Sequence, residues 1–218
     1  LPRSGCPEGL HMETITSTLW LLMINQQMFE EIGVRFGTTS SWAVWQNEVS
    51  RPKENIGDLS VFDTNVNLNL LNLLTTDVVM VGLNCSRSLS GKPRYSNFHD
   101  GNRHSNDFKI RSVFRDTRFY GAYMTDIIKD QIDTSAGNIE KLLASNPAIE
   151  RANAAFFEEE IAHVGAKNPL IIAFGATTHS ILKRNLGGKY KIARVTHYSH
   201  QIRKEKYRSD VLASLTDH

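Results

Sequence analysis

The run from Asp77 to Leu83 (Asp-Val-Val-Met-Val-Gly-Leu) constrains this chain more than any other feature. It is short, rich in β-branched residues and apolar up to Asn84, so it reads as a strand buried on both faces. A strand of that kind needs helices over both sides of its sheet. Three more runs repeat the pattern, Phe119 to Ile128, Pro169 to Phe174 and Tyr190 to Val195, and the stretch Asn138 to Val164 between the second and third is helical. Strands alternating with helices predict a three-layer α/β/α domain with a central, mostly parallel sheet. Its site is expected beyond the carboxyl ends of the strands.

Ahead of the sheet, apolar residues recur at helical spacing from Glu13 to Phe29, which predicts a helix ending before Gly33. The segment Gly37 to Gly57 has no period and reads as a long loop whose Trp42 and Trp45 pack rather than bind. Leu1 to Met12 has no pattern of its own and lacks the features of a secretory signal, so it reads as an appended piece. Residues 13–218 then form one domain, which 218 residues with 40% hydrophobic content can support. No apolar run approaches the ~18 residues of a membrane span, so no membrane partner is expected. Two distant cysteines, Cys6 and Cys85, give no disulfide framework, and a reducing, cytoplasmic setting follows.

Polar chemistry gathers where the strand-like runs end. Gly82-Leu83-Asn84-Cys85-Ser86 turns from apolar to polar beside a glycine that lets backbone approach a ligand. The segment Ser96 to Lys109 is too polar and glycine-broken to be core, and its Phe98, flanked by amides and imidazoles, suits stacking on a planar base. After the last strand comes Thr196-His197-Tyr198-Ser199-His200. Net charge is only +2, yet Lys183 to Arg208 holds nine Lys or Arg against the single acid Glu205. That stretch is either a phosphate-meeting surface or a solvated helix face.

Taken together, these clusters resemble the uracil-DNA glycosylase superfamily, especially its mismatch-specific and single-strand-selective branches, over about residues 75 to 210. Gly82 to Ser86 is similar to the family's Gly-x-Asn-Pro-Gly strand end. Phe98 and Asn106-Asp107-Phe108-Lys109 resemble its stacking aromatic and its Asn-His-Phe-Trp-like element. Gly121 to Ile128 looks like the strand that reads the base edge, and His197-Tyr198-Ser199 resembles the His-Pro-Ser-type loop.

The resemblance implies that Asn84 positions a water and His197 stabilises the departing base. It gives base binding to Phe98, Asn106 and Asp126, and phosphate contacts to Ser86, Ser199 and Arg203. The partner implied is DNA or a nucleotide, extruded from its stack, with N-glycosidic hydrolysis as the reaction. No metal or cofactor is expected, and the lack of Cys-x-x-Cys clusters excludes the iron–sulfur branches.

Three departures from the family pattern carry consequences: Cys85 and Tyr198 stand where prolines are usual, and Asp126 where an Asn is. An ionised Asp126 can only accept hydrogen bonds, so a base presenting a donor edge (cytosine, adenine or a deaminated purine with a suitable N–H) is expected to beat uracil. Two other readings stay open at this stage. One is a binder that kept the pocket and lost the hydrolase, and the other is a hydrolase of free nucleosides or nucleotides.

Overall fold

The computed structural model describes residues 24–218. Leu1 to Met12 and the first part of the helix expected from Glu13 lie outside them. Five strands form one sheet: β1 (Ser40–Trp42), β2 (Thr75–Asn84), β3 (Ala122–Ile128), β4 (Leu170–Phe174) and β5 (Ile192–Val195), in the order β1-β3-β2-β4-β5. β3, β2, β4 and β5 run parallel, while β1 pairs antiparallel with β3, Ser41 opposite Met124. The fold is therefore α/β with a mixed, mostly parallel sheet. Seven α-helices accompany it among the described residues: α1 (Gln26–Arg35), α2 (Leu70–Leu73), α3 (Phe108–Phe114), α4 (Ala136–Ser145), α5 (Pro147–His163), α6 (Ala176–Leu186) and α7 (Lys204–Ser214).

Strand alternation sends successive side chains to opposite faces, and both faces are covered. Val79 and Val81 of β2 pack with Phe29 of α1, Ile139 of α4, Phe157 of α5 and Ile181 of α6. Val78 and Met80 join the opposite cluster, with Ile110 of α3 and Tyr207 and Val211 of α7. The same alternation divides β3. Tyr123 and Thr125 point toward α5, where both donate to Glu160 Oε1, at 2.8 and 2.9 Å. Glu160 is fully buried, and Lys129 Nζ pairs with its Oε2 at 2.6 Å. Removing the lysine alone would strand a buried carboxylate, a change that typically costs about 3–5 kcal/mol. Asp126, one residue on, points to the other face.

The strand order fixes where a site can form. From β2 the chain crosses to β3 on one side, then passes back over β2 to lay β4 and β5 on the other. That reversal at β2 opens a crevice at the strands' carboxyl ends.

Several local expectations are corrected. The first described helix starts only at Gln26, where the Asn25 side chain caps it by accepting from the Met28 N–H, and it runs through Gly33 to Arg35. Gly33 sits inside the helix because a Cβ there would lie 2.9 Å from the Tyr95 hydroxyl. The predicted single helix Asn138 to Val164 is two, because Pro147 keeps Asn146 out of the helical region (φ −139°, ψ 81°) and starts α5 afresh. The expected loop Gly37 to Gly57 contains β1, whose Ser-Ser-Trp gives no strand pattern. Trp42 and Trp45 are buried, as expected. Among the described residues no helix is long and apolar enough to cross a membrane.

Candidate functional site

A cleft of about 1210 Å³ opens at the crevice, walled by the ends of β2, β3, β4 and β5 and by the segments that follow them. Asn84, Ser86, Phe98, Asn106, Asp126, His197 and Ser199 all line it. Arg203 does not: it is exposed and precedes α7 as its capping residue.

Asn84 closes β2 half-buried. Its Nδ2 donates to the carbonyls of Cys85, Gln131 and Asp133 at 3.1, 3.1 and 2.9 Å. Three carbonyls on one amide nitrogen fix the orientation of the group and leave Oδ1 without a donor among the described residues. Such an oxygen can hold a water.

His197 follows β5. Its Nδ1 accepts from the Ser199 N–H at 3.1 Å and lies 2.8 Å from the Ser199 hydroxyl. A backbone N–H can only donate, so Nδ1 is an acceptor and the ring proton sits on Nε2. Burial, helped by His200, lowers its pKa to about 4, so the ring is neutral at physiological pH. Tyr198 stacks on it with centroids 4.3 Å apart. Ser199, expected at a phosphate, is thus engaged in orienting the imidazole.

Asp126 is 3% exposed. Its Oδ2 accepts from Asn97 Nδ2 at 2.9 Å and from the Cys85 thiol at 3.3 Å. Burial raises its pKa, against the lowering effect of Asn97 and Lys129. The carboxyl lies across Gly82 of β2, where any Cβ would collide with Asp126 Oδ1 and approach the Phe98 ring to 3.2 Å. Glycine is needed there for close packing, not for a special dihedral. Phe98 is held at φ +64°, a conformation costly for a bulky residue. Its carbonyl accepts from Trp45 Nε1, and its ring packs in the sheet cluster with the residue only 3% exposed where it lines the cleft.

His99, one of the imidazoles expected beside a base, is structural. Both ring nitrogens are engaged, Nε2 with the Val44 carbonyl at 2.9 Å and Nδ1 with Ser41 and Asn97. Lys109 is buried too, and its Nζ donates to the His200 carbonyl at 2.6 Å, tying α3 to the histidine loop.

Two lining residues had no role assigned from sequence. Asp107, 8% exposed, accepts the Asp100 N–H on Oδ2 at 2.8 Å, and burial raises its pKa to about 6. Tyr198 was noted only as a missing proline. Its phenol is shifted well upward, by burial first and then by the charges of Asp107 and Asp126. An aspartate inside a polar segment gives no sequence sign of burial, so neither was legible.

The basic stretch is not a continuous surface. Lys183 and Arg184 lie on α6, and Lys204, Lys206 and Arg208 lie on α7, in the opposite layer. Arg184 pairs with Glu150, Lys189 with Glu158, Lys204 with Glu48 and Lys206 with Asp210. Arg208 donates to the carbonyls of Ser112 and Val113. Comparison with family models, with curated proteins and with solved structures gave no match.

Proposed function

We propose that the cleft takes up a nucleobase and that the chain is a divergent uracil-DNA glycosylase-like protein that hydrolyses an N-glycosidic bond. The observation that carries this reading is the meeting of Asn84, Phe98, Asp126 and His197 in one cleft at the parallel strands' carboxyl ends. In this reading the target base lies against Phe98 with its edge at Asp126, and Asn84 Oδ1 holds the attacking water. His197 donates through Nε2–H to the base as it departs with the bond's electron pair. A preorganised donor of that kind contributes on the order of 3–4 kcal/mol to the barrier. Asn84 cannot take up a proton near neutral pH, so the proton of the attacking water passes to the departing base or to solvent, and turnover is slow compared with an enzyme carrying a carboxylate there.

The test is incubation of the chain with oligonucleotides that each carry one altered or mispaired base, followed by alkaline cleavage at abasic sites. Release of a base that is lost in both Asn84→Ala and His197→Ala supports the reading. Equal release by wild type and both variants, or none from any substrate, rejects hydrolysis.

One observation favours a second reading, a hydrolase or binder of free nucleosides and nucleotides. Four of the nine basic residues expected to meet a nucleic acid are spent in ion pairs. Binding to plain duplex DNA that is absent at low salt, with nucleoside binding intact, selects this second reading.

A further inference from the structure

We propose that Asp107 reads the ligand together with Asp126 and Tyr198, and that the three select a base edge carrying an amino group beside a ring N–H, as in a guanine-type base. The inference rests on the reading of the cleft as a base site. Asp107 comes from the segment before α3, Asp126 from β3 and Tyr198 from the loop after β5, and all three line the cleft. Each acid has one oxygen committed to the protein. Asp126 Oδ2 holds Asn97 and Cys85, and Asp107 Oδ2 holds the Asp100 N–H, with the Ser105 hydroxyl beside the carboxyl. Among the described residues no hydrogen bond reaches either Oδ1 or the Tyr198 hydroxyl, and none of the three is sealed from the cleft.

Two carboxyls more than nine-tenths buried, each with an unanswered oxygen, are costly to keep. A ligand with two adjacent N–H donors answers both, and the phenol is left to donate to a carbonyl on the same edge. A base offering a carbonyl and a single N–H leaves one of these oxygens unanswered, the loss from which polar sites derive their sharpest discrimination. The charges acting on Asp107 are those of Asp100 on its own segment and Asp126 from β3; Tyr198, His197 and His200 after β5, His104 on its own segment, and Arg87 and Lys92 line the same cleft. His197 stays neutral over this range, while burial raises the pKa of Asp107 to about 6, so the Asp107→Asn comparison reads its own contribution.

The experiment is calorimetric titration of the chain with 2′-deoxyguanosine and with 2′-deoxyinosine, which lacks only the 2-amino group, between pH 5 and 8. At pH 8 the amino compound should bind at least about tenfold tighter, as a charge-assisted hydrogen bond warrants. The advantage should shrink as pH falls through 6 and Asp107 takes up a proton. Asp107→Asn keeps an acceptor for the Asp100 N–H, and in this variant the preference should drop severalfold and lose its pH dependence. Equal binding of both nucleosides, or an unchanged pH-dependent preference in Asp107→Asn, overturns this inference while the base-site reading stands. Binding of neither overturns both. Discrimination without any glycosidic cleavage upholds the inference and removes only the hydrolysis.

Discussion

At the scale of single residues, Asp107 and His197 show how burial tunes a site at the expense of stability. The Asp107 pKa is raised from 3.8 to about 6, so the folded state holds its proton more tightly than the unfolded chain. Stability from this group is therefore full below pH 4 and falls as pH rises through 6, once the buried carboxyl must ionise. Asp107→Asn should raise the stability by about 2–3 kcal/mol at pH 8 and change it little at pH 4, as urea midpoints at the two pH values would read. His197 behaves oppositely. Its pKa falls from 6.5 to about 4, so stability is lost as pH drops through that window, where the unfolded chain takes up a proton and the folded one does not. Nitrogen-15 spectra at pH 6 should show a neutral ring protonated at Nε2. A doubly protonated ring there would remove the donor role given to it.

Among the elements, the turn at residues 46–55, between β1 and β2, is gathered by the side chain of Arg111. Arg111 of α3 is 1% exposed, and its guanidinium donates to the carbonyls of Gln46, Pro52 and Glu54 and to Asn55 Oδ1. Among the described residues no carboxylate forms an ion pair with it, so its value lies in gathering a turn that has no regular structure. Arg111→Met should cost about 3 kcal/mol and open residues 46–55 to limited proteolysis before the sheet unfolds. How far the elements could be read from sequence follows the same division. The runs Asp77 to Leu83, Phe119 to Ile128, Pro169 to Phe174 and Tyr190 to Val195 became β2, β3, β4 and β5 because a strand covered on both faces is apolar throughout. β1 was missed because its three residues are fixed by pairing with β3, not by their own composition. Asn84 and His197 were legible because strand ends are where such a sheet presents polar groups. Asp107 was not, because its burial depends on loops that fold back from distant parts of the chain.

For the molecule as a whole, adjacency in sequence proved a poor guide to surface charge. Of the nine basic residues of Lys183 to Arg208, two lie on α6, three on α7 in the opposite layer and Arg194 on β5 between them, and four are ion-paired. Any binding to DNA should accordingly weaken only gently with salt, with a log–log slope shallower than about −3, because few phosphates can be neutralised at once. A slope near −6 in a salt titration would show that a basic surface exists after all. The sheet's two margins bear on a different matter, its behaviour in a crowded solution. Among the described residues it ends in β1, of three residues, on one side and in β5, of four, on the other, with exposed Arg194 on β5. Backbone left unpaired at a margin is a template for another chain, and length and charge decide whether that template works. Here neither margin is long enough to seed a fibril, and Arg194→Val, which keeps the length and deletes the charge, should bring the onset of dye-detected aggregation forward only slightly.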